Sequence, residues 1–138
     1  IESGCVDIVQ PDLSRCGGLT VALRIARSAA RANIDCVPHS WLTHLLTAYS
    51  LHFIATLPRA RFVEFNVSQS DLTRGIAPAD LALDADGMVA VPDGIGLGVE
   101  VDRDFVAAHR VDRARASSVA SWRPGRSISS RRDGGTTG

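Results

Sequence analysis

The sequence predicts an α/β fold with parallel strands, in the form of a part of a TIM-like (β/α) barrel. Two short apolar runs, residues 6–9 and 34–37, each end shortly before a proline, and an ionisable residue follows that proline: Asp12 or His39. A helix-like stretch separates the runs, and Asp12 and His39 are 27 residues apart, about one strand–helix unit of a barrel. A complete barrel needs about 250 residues, so we expect 138 residues to form only part of one.

The first strand–helix unit begins at residues 6–9. This run is short and apolar, which predicts a buried parallel strand. Gly17 and Gly18 predict a turn, and Thr20 is the predicted N-cap of the helix that follows. Apolar side chains then recur at helical spacing with arginines between them, and Asn33 is the predicted C-cap.

The second unit repeats this order. Residues 34–37 predict a strand, and residues 43–57 predict a helix rich in Leu and Ala that Pro58 ends. Residues 62–65 predict a third strand with Glu64 near its end. Alternating strands and helices with short loops predict a parallel sheet with right-handed crossovers.

The composition changes after residue 67 to a Gly/Pro-rich exit segment. Residues 84–89 predict a hairpin turn. Residues 92–98 are rich in glycine and allow either a phosphate loop or a packed loop; neither a helix start nor a lysine follows, which favours packing. Residues 103–115 predict a short helix.

Charge divides the chain into a predicted domain, residues 1–108, and a tail, residues 109–138. The first part holds 8 arginines and 13 acidic residues, and the tail holds 7 arginines and 2 acidic residues. Ser, Arg and Gly dominate the tail, which predicts disorder. Nucleic-acid binding by this basic segment is an unfavoured alternative. The chain has no lysine, which excludes a Schiff-base or P-loop lysine within it.

Three cysteines, an odd number without paired metal-ligand spacing, predict reduced thiols in a cytoplasmic protein: Cys5, Cys16 and Cys36. No apolar run approaches the roughly 20 residues of a membrane span. The opening IESG is typical of the end of a helix, so we expect the sequence to begin partway through a longer protein.

The candidate chemistry lies where the predicted strands end. Residues at the carboxyl ends of adjacent parallel strands lie side by side at the mouth of a barrel. Asp12 and His39 can pair there by a hydrogen bond, with the imidazole as acid or base and the carboxylate fixing its tautomer. The alternative is structural, with Asp12 as a turn carboxylate and His39 as a loop residue.

Four pieces of the sequence together resemble the enolase superfamily, in its mandelate racemase and acid-sugar dehydratase group: VDIVQPDLSRCGGLT, VPHSW, FVEFN and DGMVAVPDGIGLGVEVD. They occur in the family's order and cover about residues 3–108. The resemblance implies a partial enolase-type C-terminal barrel domain, with Asp12, His39 and Glu64 at the ends of strands six, seven and eight. The muconate-lactonizing group has a lysine where Asp12 stands, which argues for the racemase and dehydratase group.

The resemblance also implies a reaction. Enzymes of this family remove the proton next to a carboxylate, and Mg2+ stabilises the enediolate that results. His39 would be the general base, or the acid that protonates a departing hydroxyl, and Asp12 would hydrogen-bond its far ring nitrogen. Glu64, when protonated, would donate a hydrogen bond to the substrate carboxylate. The family's metal ligands, its lysine acid/base and most of its capping domain belong to parts of the barrel protein that this chain lacks.

The favoured interpretation is therefore that the chain is a fragment of a magnesium-dependent acid-sugar dehydratase. The alternatives are a 2-hydroxy-acid racemase of the same family and a truncated remnant without catalytic function. The resemblance further implies an acid-sugar substrate, a homo-oligomer for the full-length enzyme, and neither a membrane nor a nucleic acid as partner.

Overall fold

The computed structural model describes residues 1, 3–59, 62–78 and 81–111. Within them the chain forms two strands and four helices, in the order β1 (Ile8–Val9), α1 (Gly18–Arg31), β2 (Asp35–Cys36), α2 (His44–Ile54), α3 (Asp71–Gly75) and α4 (Arg103–Ala108). Residues Ile1–Ala108 constitute one compact unit. None of the helices in these ranges has the length and apolar character needed to cross a bilayer.

The strands β1 and β2 pair in parallel, as the sequence predicts. Ile8 is opposite Asp35, and Val9 is opposite Cys36. Both strands are shorter than predicted, at two residues each. The pairing nevertheless continues beyond them, since the amides of residues 35, 37 and 39 donate to the carbonyls of residues 7, 9 and 11. The prolines at 11 and 38 lack an N–H donor, which limits the regular ladder to its middle.

The helix α1 begins at Gly18, earlier than predicted. Its N-cap is Gly17, with a φ of 106°, so Thr20 lies in the first turn and is not the cap. A side chain at Gly17 would adopt a strained backbone and place Cβ 2.9 Å from Val21 Cγ2. At the other end Ala32 is the C-cap, and the predicted cap Asn33 follows it with a left-handed φ of 58°.

The helix α2 lies between two apolar clusters and is buried on most sides. Thr43 caps it by accepting a hydrogen bond from the amide of Leu46 at 3.4 Å. Phe53 contributes to the first cluster with Leu13 and residues of α1, and Leu51 contributes to the second. The helix ends at Ile54 instead of residue 57, because the chain continues as turns before the proline at 58.

The predicted third strand is wrong. Residues 62–70 have no regular secondary structure, and Phe62 is exposed. The segment is attached to the loop after β2 through side chains, with Ser40 and Asn66 taking the place of a backbone ladder. Backbone pairing between these two segments is absent from the described residues, so a short run of strand-favouring side chains did not suffice to define a strand.

The exit segment forms the predicted turn but no hairpin strands within the described residues. The amide of Asp84 donates to the carbonyl of Met88 at 2.8 Å, and Gly87 has a φ of 75°. The loop at residues 92–98 is packed only at its end: Leu97 packs against the second apolar cluster and its carbonyl is 3.1 Å from His52 Nε2, whereas residues 93–96 are exposed.

The two short helices were predicted incompletely. The helix α3 was missed altogether, and α4 ends at Ala108, earlier than the predicted residue 115. Phe105 of α4 packs against Gly75 at the end of α3, where a Cβ would overlap the ring. The remainder of the predicted disordered tail, residues 112–138, lies outside the described residues.

Candidate active site

Asp12 and His39 lie opposite each other just beyond the two paired strands. Their backbones form an isolated parallel pairing, and the amide of His39 donates to the carbonyl of Pro11 at 3.2 Å. Asp12 Oδ2 lies 3.0 Å from His39 Nδ1, which is hydrogen-bond distance. The contact follows from the fold, because parallel pairing brings equivalent strand ends to the same edge of the sheet.

A tight turn holds the carboxylate of Asp12 in place. Its Oδ1 accepts hydrogen bonds from the Ser14 amide at 2.8 Å and the Ser14 hydroxyl at 2.6 Å. Its backbone carbonyl accepts from the amides of Arg15 and Cys16. The Arg15 guanidinium is 3.5 Å from Oδ2, but that side chain is largely exposed, so the ion pair contributes little.

The hydrogen bonds around Asp12 favour its ionised form. Burial by itself raises the pKa of this carboxyl, but the hydrogen bonds from Ser14 and His39 outweigh it, so the pKa lies below its usual value. An ionised carboxylate is only an acceptor, and His39 Nδ1 must therefore carry the proton between them. In the neutral ring, Nε2 is then left without a proton and is able to accept one.

Glu64 lies on the other side of the imidazole. Its Oε2 is 4.0 Å from His39 Nε2, and the same oxygen accepts a hydrogen bond from the Ser40 amide at 2.7 Å. The exposed fraction of the side chain is 39% for His39, 30% for Glu64 and 11% for Asp12. The imidazole thus lies between two carboxyl groups, with Nδ1 toward the less exposed one, Asp12, and Nε2 toward the more exposed one, Glu64.

All three residues predicted from the sequence are brought together, but two buried partners were missed. Ser40 and Asn66 are polar side chains without solvent access beside the site. Each stands within a piece of sequence that the resemblance quotes, PHSW and FVEFN. Ser40 directly follows His39, and Asn66 lies two residues after Glu64; this closeness to candidate catalytic residues was the available signal, although burial itself cannot be read from sequence.

The two histidines of α2 belong to different surroundings. His44 is buried, with its ring centroid 5.5 Å from that of Phe65 and its Nε2 3.4 Å from the Asn66 carbonyl. His52 contacts the glycine-rich loop through Leu97. Both histidines therefore have structural contacts that are separate from the pair of Asp12 and His39.

The donor set of the site does not fit a magnesium ion. Among the residues that the structure describes, no three His, Cys, Asp or Glu side chains are grouped so as to hold a metal. Mg2+ prefers several oxygen ligands in octahedral geometry, whereas the two carboxyl groups here lie on either side of an imidazole and accept N–H bonds. The acid–base roles of Asp12, His39 and Glu64 therefore depend on the protein side chains alone.

Comparisons with known proteins find relatives of this chain. A D-galactarolactone cycloisomerase of Agrobacterium fabrum is 33% identical over 119 residues, which cover 80% of this chain and 31% of the relative. A D-galactonate dehydratase of Ralstonia nicotianae is 32% identical over 136 residues, covering 89% and 32%. The chain spans about a third of the length of these curated relatives.

Solved structures also match most of this chain. The crystal structure of a member of the enolase superfamily from Polaromonas sp. JS666 matches with a TM-score of 0.73 and 37% identity, over 80% of this chain and 29% of that one. The model of the family described as "Enolase C-terminal domain-like" matches residues 1–105. The paired strand ends and the alternation of β1, α1, β2 and α2 are typical of such a barrel. The chain therefore belongs to the enolase C-terminal domain-like family, whose domain forms part of a TIM barrel.

Proposed function

We propose that this chain supplies the acid–base residues of an enolase-superfamily enzyme that removes the proton α to the carboxylate of an acid sugar. The observation that carries the proposal is the hydrogen-bonded pair of Asp12 and His39, with Nε2 of the ring directed to the accessible side. Asp12 and His39 are proposed to end strands six and seven of the complete barrel, with Glu64 on the segment that follows α2. The reaction we favour is dehydration, because a galactonate dehydratase is among the relatives.

His39 is the general base in this proposal. Its Nε2 takes the proton from the carbon next to the carboxylate, and the electron pair of that C–H bond moves toward the carboxylate. The charge that appears on the ring is stabilised by Asp12, which keeps Nδ1 protonated and the ring oriented. In dehydration the proton now on Nε2 passes to the departing hydroxyl, which leaves as water, and His39 returns to its initial state.

In this proposal Glu64 takes up a proton only when the substrate carboxylate binds beside it, because two neighbouring carboxylates disfavour each other's charge, and it then acts as a hydrogen-bond donor. Ser40 already donates to Oε2, so Oε1 is the oxygen that would carry the proton and donate it in a hydrogen bond to the substrate. A donor placed where negative charge develops lowers the barrier by stabilising the transition state. In the family the corresponding charge is also stabilised by Mg2+, whose ligands would come from other parts of a longer protein.

The test is isotope exchange in a protein that contains this chain within a complete barrel. The variant His39→Asn should abolish exchange of the substrate α-proton with deuterated solvent while the circular dichroism spectrum stays unchanged. The matched control is His52→Asn, which alters a histidine on α2 that contacts the loop at Leu97. Undiminished exchange in His39→Asn would refute the assignment of the base.

A second candidate is cycloisomerisation, which the Agrobacterium relative supports. It begins with the same proton transfer but opens a lactone ring instead of releasing water. Both eliminations leave an enol that becomes a 2-keto acid, so the two reactions are separated by mass: dehydration removes one water from the substrate, whereas opening of the lactone ring leaves the mass unchanged. A racemase would yield neither product and would only reduce the optical rotation.

The mass of the native polypeptide decides whether the catalytic proposal applies at all. A mass on the order of 40 kDa, as expected of a barrel with a capping domain, would place this chain within a complete enzyme. A mass near 14.7 kDa, that of the 138 residues, would favour the alternative of a remnant without catalytic function.

A further inference from the structure

The segment that carries Glu64 is held to the His39 loop by side chains. Residues 62–70 form no strand, yet four hydrogen bonds connect residues 64–66 with residues 40–42. Each of these bonds involves Ser40 or the side-chain amide of Asn66. The separation between the Glu64 carboxylate and the His39 ring therefore depends on these two residues and not on a sheet.

Ser40 fixes both ends of Glu64. Its amide donates to Oε2 at 2.7 Å, and its hydroxyl donates to the backbone carbonyl of Glu64 at 2.6 Å. The serine is fully buried, so water does not compete for either bond. Two bonds between one pair of residues restrain the carboxylate and its backbone together, which holds Oε2 at 4.0 Å from His39 Nε2.

Asn66 holds the loop that follows His39 through its side-chain amide. Its Nδ2 donates to the carbonyls of Trp41 and Leu42 at 3.2 and 3.3 Å, and its Oδ1 accepts from the Ser68 amide at 2.9 Å. The side chain thus uses both amide hydrogens and its oxygen, which a carboxylate of the same shape could not do. An aspartate here would place a charge against two carbonyl oxygens.

We propose that Ser40 and Asn66 are positioning residues that hold the Glu64 carboxylate against the Nε2 side of His39. The inference rests on the proposed function, since it assigns both residues a part in aligning its acid–base groups. Neither residue touches the reacting atoms. Their effect is to keep two groups from separate loops at a fixed distance, which general acid–base chemistry requires.

The first readout is the electrostatic effect of Glu64 on the His39 ring, measured by 15N NMR on the 138-residue chain. Glu64→Gln should displace the His39 15Nε2 resonance, because it removes the nearby charged group but keeps an oxygen for the Ser40 amide. In a Ser40→Ala or Asn66→Asp background the displacement should be smaller, because a Coulomb interaction weakens as the distance between the two groups increases.

The second readout is hydrogen exchange at the Ser40 amide, taken relative to the Ala26 amide of α1. Loss of one connecting hydrogen bond should accelerate the Ser40 amide selectively, by about fivefold or more. Ser50→Ala is the matched control: Ser50 is also fully buried, but its hydroxyl has no hydrogen-bond partner among the described residues. This variant should change neither readout.

The outcomes are decisive in both directions. Selective acceleration with a reduced Glu64→Gln displacement supports the positioning role. An unchanged displacement, or acceleration shared equally by the Ala26 amide, overturns it. If Asn66→Asp does not fold, Ser40→Ala decides alone, because its backbone donor remains. The result is independent of catalysis: proton exchange surviving in His39→Asn would refute the proposed function and leave this measurement intact.

Discussion

The variant Asp12→Asn tests how the carboxylate controls the His39 ring. In the wild type, Oδ1 accepts two hydrogen bonds from Ser14, and Oδ2 faces His39 Nδ1. The amide oxygen of the substituted side chain would keep the two Ser14 donors, so its NH2 group would face Nδ1. An NH2 group donates, and the neutral ring would then move its proton from Nδ1 to Nε2. That tautomer cannot take a proton at Nε2.

The size of the shift between the two His39 tautomers follows from the free-energy cost of turning the substituted amide around. The active tautomer would require the amide to turn around, which sets its NH2 group against the Ser14 amide and hydroxyl. An unsatisfied donor costs about 1–3 kcal/mol, so the active tautomer falls by roughly 5- to 150-fold. Loss of the charge that stabilises the protonated ring adds to this, within the roughly 100- to 10,000-fold range of general acid–base catalysis.

Two assays check the reasoning. The 15N spectrum of the 138-residue chain should show the protonated, pyrrole-like resonance on Nδ1 in the wild type and on Nε2 in Asp12→Asn, and in a complete barrel α-proton exchange should slow accordingly. The matched control is Asp84→Asn, since Asp84 Oδ1 likewise accepts hydrogen bonds within its own turn, from two backbone amides, and lies outside the site. An unchanged tautomer, or exchange at the wild-type rate, would contradict the argument.

The remaining predictions concern stability. Gly75→Ala should cost about 1–3 kcal/mol because its Cβ would overlap the Phe105 ring; urea denaturation measures the loss, and Phe105→Leu in the same chain should recover part of it. Leu13→Ala should cost about 2–5 kcal/mol since Leu13 is 1% exposed, whereas Leu72→Ala, at a residue 57% exposed, should stay within about 0.5 kcal/mol; equal midpoints for the two would contradict the assigned core. Because the pKa of Asp12 is lower in the folded state, Asp12 stabilises the fold at pH values above its unfolded-state pKa, and this stability is lost as the pH falls through the folded-state pKa. The melting temperature of Asp12→Asn should therefore fall less than that of the wild type as the pH is lowered. An identical fall in the two proteins would count against the lowered pKa.

The pairing of Asp12 with His39 could be predicted because it depends on spacing. One strand–helix unit separates the two residues, and parallel strands bring their ends together whatever the detailed packing is. The turn at Asp84 and the start of α2 at Thr43 were likewise predictable, because both depend on hydrogen bonds between residues close in sequence.

The rest depends on contacts between distant segments. The residues around Glu64 are of the types that favour a strand, but this segment is held by Ser40 and Asn66 instead of a neighbouring ladder. The burial of those two polar side chains arises only when the loops meet. The helix α3 spans little more than a single turn, Asp71–Gly75, which is too short for a periodic pattern to emerge.

The donor that Ser40 offers to Glu64 Oε2 is a main-chain amide. Every amino acid except proline carries that group, so random substitution at this position leaves one half of the connection intact in almost every case. The hydrogen bond from the Ser40 hydroxyl to the Glu64 carbonyl, by contrast, is lost in every replacement that lacks a hydroxyl group. In a library at residue 40, small replacements that fit this buried site, such as alanine, should therefore cause a partial loss, whereas proline should cause an abrupt one.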